Sequence, residues 1–140
     1  VGVLTDRLIT RGARSATVRQ RFVVGGLVVS SVMGLSGIVG DRVVAVVLMT
    51  VAFAGVISAS SGIWALPGDV SPDVSWVSTI GGVQNAISNV GGIVAPIVTG
   101  FTVEHSAGSY TPALLITCVV ALIGAGLYLT SGVSRGLRQA

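Results

Sequence analysis

Lysine is absent from this 140-residue chain, cysteine and histidine occur once each, and charged side chains make up only 9%. Each shortage excludes something. A single cysteine, Cys118, cannot form an intrachain disulfide or a thiolate metal site. Soluble domains are about 25% charged. Eight arginines and five carboxylates cannot keep the surface of a soluble chain of this length polar. A secreted disulfide scaffold, a nucleic-acid module and a typical cytosolic enzyme are therefore excluded. No paired carboxylates, Ser/His/Asp set or metal-ligand spacing appears, so no catalytic site, metal or cofactor is expected.

What is present is apolar. Hydrophobic residues reach 51%, with 20 glycines, and the mean hydropathy of +0.91 makes lipid the solvent for most of the chain. Charges fall at Asp6 to Arg21, at Asp41 and Arg42, at Asp69 and Asp73, at Glu104, and at Arg135 and Arg138. Four charge-free stretches lie between them: 22–40, 43–68, 74–103 and 105–134. A ~30 Å hydrocarbon core takes about 20 helical residues, so each stretch can span. Barrel strands would alternate apolar and polar side chains, whereas ALLITCVVALIGAGLYL is apolar on all sides. The spacing predicts an all-α membrane protein with spans at about 22–40, 43–67, 76–101 and 111–131. Residues 1–21 form a cytoplasmic loop, 22–134 the transmembrane segment and 135–140 a tail. The lipid bilayer is the first partner implied, and no nucleic acid is.

Gly40-Asp41-Arg42 reads as a tight turn, Pro67 to Asp73 as a breaker-rich connection, and Glu104 to Ser109 as a polar loop. Arginines before the first span and after the fourth place both termini in the cytoplasm. The loop from Gly68 to Asp73 should share that side, yet it carries no basic residue. The basic start with its apolar run has the ingredients of a signal peptide, but the run exceeds the usual 7–15 residues. The chain starts at Val1 without methionine, which suggests processing or a fragment.

Gly2, Leu4, Asp6, Arg7, Arg11 and Gly12 fit the pattern G-x-L-x-D-R-x-x-x-R-G. This resembles the cytoplasmic loop signature of the major facilitator superfamily. A carboxylate can sit at the positive end of a helix, and guanidiniums can pair with it and with helix-end carbonyls. Asp6, Arg7 and Arg11 would then latch the cytoplasmic side. The competing reading is a generic basic cluster that sets topology.

The third span holds Gln84, Asn85, Ser88 and Asn89. Residues 85 and 89 share one helix face, with Ser88 adjacent. Three amides facing lipid would be costly, so they face helices or a polar path. Interhelical glue and a substrate path fit the spacing equally. Gly92, Pro96 and Gly100 recur every four residues, a stripe that would allow close helix approach. The first and fourth spans look bland, with Gly25, Gly26, Gly34, Gly37, Gly124 and Gly126 as packing positions and Cys118 as a small buried hydrophobe. In the second span Ser58, Ser61 and Trp64 share a face. Trp64 lies three residues before Pro67 and could equally be an interfacial anchor.

WALPGDVSP followed by STIGGVQNAISNVGGIVAPIVTGF resembles the carboxyl-terminal part of the anion:cation symporter family. That family, within the major facilitator superfamily, includes bacterial sugar-acid and phthalate permeases. The resemblance covers nearly all 140 residues. It implies helices nine to twelve of a twelve-helix carrier, and hence missing amino-terminal helices as partners. It also implies proton-coupled transport of a small organic anion by alternating access in the bacterial inner membrane. Ser61, Trp64, Gln84 and Asn85 would face the substrate, with Asn89 beside them. No span carries an ionisable residue between its ends, so the substrate's counter-charge and the proton carrier would lie outside this chain. The alternatives are a self-contained four-helix oligomer and a non-transporting accessory subunit.

Overall fold

The computed structural model is described over residues 15–71 and 73–131. Those residues form five helices: α1 (Ser15–Ser30), α2 (Met33–Ser36), α3 (Arg42–Val70), α4 (Val74–His105) and α5 (Thr111–Thr130). α1 and α2 together make one apolar segment, Ser15–Ser36, so four segments are long and apolar enough to cross a membrane. The all-helical, four-span reading is met.

The helix ends differ from the charge pattern. α1 includes Arg19 and Arg21: an arginine's methylene stem can lie along apolar surface while the head of Arg19 reaches Ala65 and Asp69, and Arg21 is exposed. The α1–α2 break has a local cause. The Ser30 and Ser31 hydroxyls donate back to the Leu27 and Val28 carbonyls at 2.8 and 2.7 Å. Such back-bonding competes with the helix ladder. The backbone tightens to three-residue bonds there, from Val32 N–H to Val29 O and from Gly34 N–H to Ser31 O.

Asp41 caps α3, accepting from the Val43 and Val44 N–H groups at 2.7 and 3.0 Å. The expected break at Pro67 does not occur, and α3 runs on to Val70. Proline's fixed φ is compatible with helix, and what has to be offset is its missing N–H and the crowding of its ring against the carbonyl one turn earlier. α4 likewise carries Glu104 and His105 as its last residues. The chain then reverses through Ala107 and Gly108, at φ 52° and 83°. Gly108 N–H reaches back to the Val103 carbonyl at 3.0 Å, a Schellman-type closure. Pro112 sits in the first turn of α5, where its missing donor costs nothing.

The packing centre is the α1–α3 seam, not the third span. Val23 is fully buried, with Ala16, Val18 and Gly26 on α1 and Ala52, Ala59 and Leu66 on α3. Glycines set the spacing. A methyl group added at Gly26 would sit 2.6 Å from the Gly55 carbonyl oxygen and 2.7 Å from the Ala59 nitrogen. One added at Gly55 would meet the Gly26 oxygen at 2.7 Å. Gly62 faces Val23 as closely. α5 closes on the other side of α1 and α2, where Gly34 and Gly37 lie against Cys118, Leu114 and Thr111. Of the bland glycines, Gly26, Gly34 and Gly37 are tight and Gly124 meets Leu27 at ordinary distance. Gly25 and Gly126 face open space.

α4 is different. None of its residues is buried. The stripe of Gly92 and Gly100 has nothing within 4 Å, so the expected close approach at that stripe is not made among the described residues. Close approach requires a matching small residue on the neighbour, and Gly26, Gly55 and Gly62 supply it elsewhere.

Adjacent residues provide a test. Gly26→Ala should destabilise the protein by about 1–3 kcal/mol through overpacking. Gly25→Ala should be neutral or slightly stabilising, since glycine is the weaker helix former. Thermal unfolding in detergent, followed by circular dichroism, separates the two.

Candidate functional site

The start of α1 and the ends of α3 and α5 meet at one end of the bundle. Arg19 Nη1 donates to the Ala65 carbonyl at 2.7 Å and lies 3.2 Å from Asp69 Oδ2. The two side chains are 24% and 16% exposed, so the pair is screened less than a surface ion pair. Asp69 Oδ2 itself is buried without an aligned hydrogen bond. Next to this pair, buried Gln20 donates its side-chain amide to the Tyr128 carbonyl. One arginine and one glutamine thus tie α1 to α3 and to α5.

A second cluster lies between α3 and α4. Gln84 Nε2 donates to the Ile63 carbonyl at 3.1 Å. Gln84 and Ser88 line an open groove of about 600 Å³ with Ile63, Trp76, Thr79 and Tyr128 among its walls. Ser88 donates to the Gln84 carbonyl at 2.9 Å. Asn89 reaches back one turn to the Asn85 carbonyl at 2.9 Å, and its nitrogen is 3.4 Å from the Asn85 side-chain oxygen. Both asparagines are exposed. Ser61 is exposed, its hydroxyl on the Ser58 carbonyl at 2.8 Å. Trp64 is 51% exposed, and because α3 continues past it, it stands within a helix rather than at its end.

The structure therefore brings Gln84 against the backbone next to Trp64 and joins Asn85 to Asn89. Ser61, Trp64, Asn85 and Asn89 do not line the α3–α4 groove. Asp6, Arg7 and Arg11 lie outside the described residues. Sequence reasoning treated Arg19 as a topology signal and Asp69 as a loop charge. Their pairing had one available sign, since an antiparallel first and second span brings residue 19 close to residue 69. Thr79 and Tyr128 carried no signal beyond their polar atoms.

The arrangement can present neutral donors and acceptors to a polar solute. Within the described residues it holds no group of three metal-ligating side chains.

Comparison with known proteins identifies the relatives. The chain is 33% identical over 128 residues to the probable galactarate/D-glucarate transporter GarP of Escherichia coli, covering 91% of this chain and 28% of the relative. It is 30% identical to a D-galactonate transporter of Escherichia coli, covering 91% of this chain and 29% of that protein. The probable sulfoacetate transporter SauU of Cupriavidus necator is 32% identical, with 89% and 28% covered. The chain is homologous to anion transporters. This bears out the resemblance to the anion:cation symporters of the major facilitator superfamily, and it marks a multi-pass membrane protein. The chain spans under a third of the length of these relatives. No family model matches the chain. No solved structure matches it.

The Arg19–Asp69 pair carries its own prediction. Asp69→Ala strands a partly buried guanidinium and should cost about 1–3 kcal/mol, between the surface and buried limits. Arg19→Ala with Asp69→Ala should cost less than the sum of the two single changes. Unfolding midpoints of the four proteins measure the difference.

Proposed function

We propose that this chain is the carboxyl-terminal part of a secondary carrier that moves a small organic anion by alternating access. The observation that carries the reading is the amide-rich face of α4. Gln84, Asn85, Ser88 and Asn89 stand in a membrane-crossing helix that has no buried residue. Uncovered amides in hydrocarbon are costly, so other helices or a polar solute must meet them. The named relatives, all far longer, are transporters.

In this reading Ser61, Trp64, Gln84, Asn85 and Asn89 offer neutral hydrogen bonds to the substrate. Hydroxylated carboxylates suit such a lining, because amides and an indole N–H match hydroxyl groups. The charge that holds the carboxylate and the group that carries a coupling proton belong to helices outside this chain. Two halves rocking about a midplane site supply the alternating access.

The arginine-rich end faces the cytoplasm of a bacterial inner membrane, with both termini of this chain on that side. In this reading Asp6, Arg7 and Arg11, which precede α1 in the sequence, act as a latch that holds the cytoplasmic side in one state.

Uptake kinetics test the assignment. In proteoliposomes of the complete carrier, with galactarate as the probe, Gln84→Ala and Asn85→Ala should each raise KM about two- to tenfold. That is the range for one lost neutral hydrogen bond. Normal uptake kinetics in both variants would remove these residues from the site.

A further inference from the structure

Pro67 has no N–H, so the carbonyl one turn earlier, that of Ile63, loses its helical donor. Gln84 Nε2, from the next helix, is 3.1 Å from that oxygen. The match is specific. Pro96 frees the Gly92 carbonyl in the same way, and no described side chain donates to it. In hydrocarbon a carbonyl without a donor is costly, so the Ile63 oxygen is a strong and fixed attractor for one amide.

A carbonyl oxygen only accepts hydrogen bonds. The Gln84 amide must therefore face it with nitrogen, which settles which end is which. Its Oε1 receives no donor from any described residue. The groove beside it is open and lined by Thr79, Ser88 and Tyr128.

We propose that Pro67 is a positioning residue for Gln84. It frees the Ile63 carbonyl, which anchors the amide by its nitrogen and presents Oε1 to the substrate as a hydrogen-bond acceptor. The partner of such an acceptor is a hydroxyl group, not a carboxylate, which has nothing to donate. The device therefore selects hydroxylated acids over unsubstituted acids of the same length and charge. This rests on the reading that Gln84 faces the substrate.

Two measurements on the complete carrier test it. The first needs no transport. Thermal unfolding in detergent is compared for the parent, Gln84→Leu, Pro67→Ala and the double variant. Gln84→Leu should lower the midpoint with Pro67 present. It should lower it by less than half as much in the Pro67→Ala background, where the alanine N–H restores the helical bond. Equal losses in both backgrounds would overturn the anchoring step.

The second is competition of galactarate uptake by unlabelled galactarate and by adipate, which shares the six-carbon chain and two carboxylates but has no hydroxyls. The parent should prefer galactarate, and Gln84→Leu and Pro67→Ala should each shrink that preference about two- to tenfold. The double variant should be no worse than either. A preference unchanged by Pro67→Ala would overturn the positioning role. If the parent takes up no galactarate or other organic acid while the unfolding cycle holds, the transport reading fails and the anchor stands.

Discussion

A backbone carbonyl in hydrocarbon is costly to leave without a donor, and that cost shapes how the described helices form and join. It selects helices over every other structure the composition allows. It also governs how the helices are joined. Among the described residues, each hydrogen bond that crosses between helices runs from a side-chain donor to a backbone oxygen: Arg19 to Ala65, Gln20 to Tyr128, Gln84 to Ile63, and Thr111 to Gly37. Two of these oxygens, on Tyr128 and Gly37, lie at helix ends, where intrahelical donors run out. That of Ala65 lies within the last two turns of α3, and that of Ile63 is the one Pro67 frees.

Small residues and polar residues divide the labour. Gly26, Gly55 and Gly62 bring α1 and α3 into backbone contact, so dispersion and close fit hold that pair. α4 is as rich in glycines but has nothing against them. It is held to α3 by an amide rather than by packing. A helix joined by a few polar contacts can shift relative to its neighbours at lower cost than one locked by a glycine seam. That distinction suits a molecule in which one helix pair is scaffold and the next faces the moving part.

The number and class of the spans were legible because charge-free stretches of sufficient length leave no other solution. Their ends were less so. Arg19 and Arg21 looked like loop residues because charge was taken as the boundary, whereas Arg19, with a carbonyl and a carboxylate to meet, is stable inside a helix and Arg21 is exposed. Pro67 looked like a breaker because the compensating donor lies 17 positions later in the chain, on another helix. The glycines were visible, but sequence spacing cannot say which of them has a small partner opposite. Gly25 and Gly26 differ only in the direction they face. The amides were legible as polar groups in a span, and their tertiary arrangement was not.

The central claim is that the polar face of α4 lines a water-filled substrate path in a longer carrier. Cysteine accessibility tests it most directly. In the complete carrier without native cysteines, Asn85→Cys and Asn89→Cys should react with a membrane-impermeant thiol reagent, and galactarate should slow that reaction. Val90→Cys, on another side of the same helix and outside the groove's lining, should show no substrate protection. Reaction at Asn85→Cys and Asn89→Cys that is absent, or indifferent to substrate, would contradict the account.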